Sequence, residues 1–86
     1  MPKYNIVKDL TQDLIQVSSH INGFPKDIKI VKAALIEKSG VNYLDVDFEV
    51  NDIIYNINIK VYNDLSGAVN EILGYIKAVY ERMIKE

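Results

Sequence analysis

Apolar residues recur along this chain in two different periods, and the change of period divides it into elements. From about Asn5 to Asn22, Val7, Leu10, Leu14, Val17 and Ile21 return in steps of three and four, one stripe on a helix. Gly23 can take the left-handed conformation that ends a helix, and Pro25 blocks continuation. From Leu65 to Glu86 the helical period returns in Leu65, Val69, Ile72, Ile76, Val79 and Met83, with Leu73, Tyr80 and Ile84 widening the stripe. Asp64 or Ser66 can cap its first turn. Gly67, Gly74 and Ala78 form a narrow strip of small residues along this second helix, where either plain tolerance or close approach of another backbone would explain two glycines.

Between the helices the period is two. Leu44, Val46, Phe48 and Val50 alternate with Tyr43, Asp45, Asp47 and Glu49; after Asn51-Asp52, Ile53, Tyr55, Ile57, Ile59 and Val61 alternate with Ile54, Asn56, Asn58, Lys60 and Tyr62. A two-residue turn at Asn51-Asp52 pairs Val50 with Ile53, Phe48 with Tyr55, Val46 with Ile57 and Leu44 with Ile59. Every pair is then apolar with apolar, and a slip by one residue would set the whole group against polar partners. Residues 28–38 read either as a helix between Pro25 and Gly40 or as a strand. The strand reading is preferred, because a second two-residue turn at Ser39-Gly40 sets Leu35 against Leu44, Ala33 against Val46 and Val31 against Phe48, with Lys32 facing Asp47 on the other side.

The expected fold is α+β, with order α-β-β-β-α: a three-stranded antiparallel meander with both helices packed on its one apolar face, forming a single domain over residues 1–86. This order resembles the topology of double-stranded-RNA-binding domains. That family grips phosphates with a lysine cluster at the start of its last helix. Here the matching stretch, Asp64-Leu65-Ser66-Gly67-Ala68-Val69-Asn70-Glu71, has no lysine and two acids, so no RNA-contacting residue carries over. A few small toxins share the topology and use a histidine beside the sheet, but His20 lies in the first helix.

Composition narrows function more than it identifies it. The chain has no cysteine, so no disulfide, thiolate metal site or cysteine nucleophile is available, which is compatible with the cytoplasm. No apolar run reaches the roughly 18 residues needed to span a bilayer, and residues 1–5 lack an apolar signal region. Ten basic against twelve acidic residues, a net charge of -2, argue against coating a nucleic acid. Abundant Ile, Asn, Lys and Tyr point to an AT-rich microbe or its virus.

The outer sheet face offers the candidate site: Ile30, Ile36, Tyr43, Asp45, Asp47, Glu49, Ile54, Asn56, Asn58, Lys60 and Tyr62, with Lys32 and Ala34 among them. Apolar residues cluster at its two ends with carboxylates and amides between, a pattern that suits a partner surface. The last strand has no proline and only Lys60 to discourage edge pairing, whereas the first carries Lys29, Lys32 and Lys38. The leading expectation is therefore a non-enzymatic interaction module, a homodimer or a small regulator or inhibitor of another protein, needing no cofactor or metal. An acidic, tyrosine-dotted face would suit the basic groove of a nucleic-acid enzyme. The alternative is a nucleic-acid-binding module using Lys26, Lys29, Lys32 and Lys38. A third reading, a metal-dependent nuclease, rests on Asp45 and Asp47 with Glu49 and Lys60, and the wet face of a strand explains those acids more simply. His20 follows Ser18 and Ser19, but adjacent helix residues point apart and form no catalytic pair.

Overall fold

The computed structural model describes residues 8–62 and 64–85. Its elements in chain order are β1 (Lys8–Asp9), α1 (Thr11–Ser19), β2 (Lys29–Lys38), β3 (Val41–Val50), β4 (Ile53–Lys60) and α2 (Leu65–Lys85). The four strands form one antiparallel sheet in the order β1-β2-β3-β4. The architecture is thus α+β, with one strand more than the three-stranded meander expected from the alternation.

The two hairpin turns form where the turn chemistry places them. Asn51 and Asp52 have φ of 54° and 65°, and Ser39 and Gly40 have 53° and 79°. Positive φ at both central residues is the turn that matches the twist of the flanking strands. Of residues 28–38, Lys29–Lys38 are strand, not helix. β3 and β4 keep the expected register throughout, from Val50 opposite Ile53 to Leu44 opposite Ile59. Phe48 and Tyr55 stack in it, with ring centroids 5.6 Å apart.

β2 holds the expected register only as far as Lys32, which lies opposite Asp47. The ladder then shifts, and Ile30, not Val31, stands opposite Phe48. Val31 is the extra residue of a β-bulge and is 41% exposed, while Ile30 is 7% exposed in the core. An unbroken alternation would have turned Lys29 toward the core and left Ile28 and Ile30 outside. The bulge reverses the phase, so that Ile28 and Ile30 are buried and Lys29 lies opposite Glu49. Val31 therefore leaves the expected core, and Ile30 leaves the expected outer face.

The chain before α1 differs as well. Lys8 and Asp9, expected within the first helix, are extended and pair with Leu35 and Ala34 of β2; the expected start of that helix at residues 5–7 lies outside the described residues. α1 begins at Thr11 because Asp9 Oδ1 accepts the Thr11 backbone N–H at 2.9 Å, an aspartate turn that redirects the chain. These bonds from the Thr11 hydroxyl and amide, helped by the charge of Lys32, hold the Asp9 carboxyl below its ordinary pKa.

One buried cluster joins the layers. Leu10 and Leu14 from the α1 segment, and Ala68, Ile72, Leu73 and Ile76 from α2, share it with Leu44, Val46, Phe48 and Val50 of β3. Asp64 caps α2 as expected, its Oδ1 accepting the Gly67 N–H at 2.8 Å. Among the described residues the small-residue strip of α2 meets no other element's backbone: Gly74 and Ala78 are exposed, and a Cβ on Gly74 would have nothing within 4 Å. At the far end of α2, the Tyr80 hydroxyl donates to Asp27 Oδ2 at 2.9 Å, which ties the helix to the loop before β2. That carboxylate raises the Tyr80 pKa.

Candidate functional site: the outer sheet face and the β4 edge

Cross-strand register arranges the outer face in rows. Ile36, Tyr43 and Lys60 form one, Ala34, Asp45 and Asn58 the next, Lys32, Asp47 and Asn56 a third, and Lys29, Glu49 and Ile54 the last. Lys29 thus occupies the place expected for Ile30. Tyr62 lies beyond the end of β4, 77% exposed, with Lys60 Nζ 5.1 Å from its ring centroid. Of the apolar group expected at the Tyr43 end, Ile36 and Tyr43 are cross-strand partners, and Tyr62 lies against Lys60, the residue opposite Tyr43. The one expected at the other end is reduced to Ile54, which is 61% exposed.

The middle rows are a hydrogen-bonded network. The Asn56 amide donates to Asp45 Oδ1 at 2.8 Å and to Asp47 Oδ1 at 2.7 Å. One neutral amide between two carboxylates satisfies both of its hydrogens and relieves part of the repulsion between the acids. Among the described residues, no group of three or more His, Cys, Asp or Glu side chains could hold a metal ion, so Asp45, Asp47 and Glu49 do not converge on one point. Lys29 and Lys32 stand opposite Glu49 and Asp47, which offsets the positive charge a phosphate backbone would need. His20 sits just past α1, at its C-terminal end.

The sheet has two edges, and they differ. β2 is followed by β1 at Leu35 and Ala34, and beyond the end of β1 the cover continues over Ala33. The Leu10 N–H donates to the Ala33 carbonyl at 2.6 Å, and the Thr11 hydroxyl accepts the Ala33 N–H at 3.0 Å. A side-chain oxygen thus takes the place of a strand's carbonyl. Backbone pairing and Thr11 cover Ala33–Leu35, and Lys29, Lys32 and Lys38 are exposed on the stretches of β2 to either side.

β4 is the terminal strand of the sheet, with nothing beyond it among the described residues. The Val61 N–H donates inward to the Asn42 carbonyl at 2.9 Å. Hydrogen bonding alternates along an antiparallel strand, so Ile53, Tyr55, Ile57 and Ile59 share Val61's inward sense. The backbone N–H and C=O groups of Ile54, Asn56, Asn58 and Lys60 therefore point out of the sheet edge. All four side chains are exposed. On the opposite face Ile53 is 54% exposed, while Tyr55, Ile57 and Ile59 are half-buried against the core. The edge thus has an open backbone ladder, a polar face and an apolar face.

A concavity of about 350 Å³ lies between α1 and the start of α2, lined by Leu10, Leu14, Val17, Leu65 and Val69 with Asp13, Ser66 and Asn70 among them. No described helix is long and apolar enough to cross a membrane.

Comparison with family models, with curated proteins and with solved structures finds no match for this chain.

Proposed function

We propose that this protein is a non-enzymatic interaction module, a small regulator or inhibitor, that binds another polypeptide by strand addition at β4. One observation carries the reading: the outward backbone groups of Ile54, Asn56, Asn58 and Lys60 have no strand beside them among the described residues, while on the other side of the sheet Lys8, Asp9, Leu10 and Thr11 cover β2 at Ala33, Ala34 and Leu35. An extended partner added there gains main-chain hydrogen bonds from the ladder and specificity from alternate side chains on either face. The outer face beside the edge, with Tyr43, Asp45, Asp47, Asn56, Asn58, Lys60 and Tyr62, would meet the partner's flanking residues. Placement of both helices on the other face, which the cluster they share with β3 supports, leaves this surface free. A cytoplasmic site of action fits a chain without cysteine.

The test is affinity capture from native cell extract, comparing the wild type with Asn58→Pro. The Asn58 N–H points outward, so proline removes a donor from the edge and none from the β3 ladder. Asn58→Pro is expected to keep its circular dichroism spectrum and lose the partner bands. Identical captured sets would contradict the reading.

A further inference from the structure

The open edge is not only available; its two halves complement each other. Resting on the strand-addition reading above, we propose that the strand added to β4 is β4 of a second copy, antiparallel, about a two-fold axis through Asn56.

A two-fold axis perpendicular to the sheet keeps outer side chains on the outer face, so each residue must pair with one of the same facing. The axis can then pass only through a residue, not between two. Hydrogen bonding must use residues whose backbone groups point outward, namely Ile54, Asn56, Asn58 and Lys60. An axis at Asn56 sets Asn56 opposite itself and Ile54 opposite Asn58 of the second copy. It also brings Asp52, in the turn, beside Lys60 of the second copy. All outward ladder groups from Ile54 to Asn58 find partners in both copies, and the charge pair forms twice, once at each end of the seam.

The apolar face agrees. The same axis sets Ile53 opposite Ile59 and Tyr55 opposite Ile57 of the second copy. Ile53 is the most exposed inward-side residue of β4, 54% open, and in this register it gains an isoleucine neighbour. Aromatic against β-branched is a favourable cross-strand pair. Moving the axis to Ile57 sets Lys60 against Ile54 and Asp52 against Tyr62, and both charge pairs are lost. Moving it to Tyr55 leaves Ile59 and Lys60 beyond the reach of the partner strand. Only the axis at Asn56 satisfies ladder, charge and apolar face together.

The chain has no cysteine, so single introduced thiols report the register without background. Directly opposite residues of a hydrogen-bonded pair lie about 5.5 Å apart between Cα atoms, within the roughly 4.4–6.8 Å range that a disulfide spans. Asn56→Cys is therefore expected to form a covalent dimer under mild oxidation. Residues 58 of the two copies would lie four positions out of step, roughly 14 Å apart, and so would residues 54. Asn58→Cys alone and Ile54→Cys alone are expected to stay uncrosslinked, and their equimolar mixture to give the mixed disulfide. Equal crosslinking at 54, 56 and 58, or none at 56, would overturn the proposal. If Asn56→Cys fails to crosslink while Asn58→Pro still loses a captured protein, the second copy is excluded and strand addition by another partner stands. If Asn58→Pro keeps every captured protein, the edge reading itself falls.

Discussion

The two edges of one sheet show different ways of treating unpaired backbone. At β2 the chain doubles back: Lys8 and Asp9 pair with Leu35 and Ala34, Leu10 donates to Ala33, and the Thr11 hydroxyl takes the Ala33 N–H. The bulge at Val31 breaks the regular ladder just past that point, and a bulged edge is a poor template for another strand. At β4 eight residues run in unbroken register with β3, without bulge, proline or cover among the described residues. A fold that covers the middle of one edge with backbone and side chain, bulges it beside that cover and leaves the other regular has an asymmetry whose simplest use is binding.

Four substitutions or conditions test that contrast. The largest effect is expected at the closed edge, where Leu10 both donates to Ala33 and buries its side chain in the core. Leu10→Ala should destabilise the protein by about 2–5 kcal/mol, read from urea unfolding, and speed amide exchange at Ala33. Thr11→Val keeps the shape but removes the acceptor for the Ala33 N–H, and should cost about 1–3 kcal/mol; a smaller loss would mean water replaces the hydroxyl. Asn58→Pro on the open edge should change stability by less than about 1 kcal/mol, because it removes no backbone bond of the isolated chain and only the long, exposed bonds from the Asn58 amide to Asp45 Oδ1 at 3.5 Å and Asn56 Oδ1 at 3.4 Å, and a cooperative loss of structure would contradict the outward direction of that N–H. The smallest effect concerns Asp9. Its lowered pKa means that the folded state favours the carboxylate. The stability it contributes is present above the unfolded value of about 3.9 and is lost as pH falls through the folded value. Asp9→Asn should flatten the acid limb of a stability–pH curve, measured as Tm, relative to wild type.

Much of the fold was legible because local and long-range signals agreed. In the β3–β4 hairpin, turn residues and strict alternation specify one register, and no tertiary contact overrides it. The bulge was legible too, though only to a reader who asks where the phase changes. Ile28 and Ile30 alternate with Lys29, out of step with Ala33 and Leu35, and no straight strand buries both sets. β1 carried almost no signal: two exposed residues, Lys8 and Asp9, have no alternation to read, and the helical spacing of Val7, Leu10 and Leu14 hides them. The cue was Asp9 itself, a helix-start residue two positions before Thr11. The middle of the outer face was legible as a polar surface. The Asn56 bridge between Asp45 and Asp47 was not, since side-chain hydrogen bonding across strands depends on rotamers that spacing does not specify.

The central claim, that β4 is an edge paired by β4 of a second copy, is tested most directly by sedimentation equilibrium of the wild type and Asn58→Pro across a concentration series. The account predicts a wild type that converts from one chain mass to two as concentration rises, and a variant that remains at one. A wild type at one chain mass throughout, or a variant that dimerises equally well, would contradict pairing of two copies through this edge.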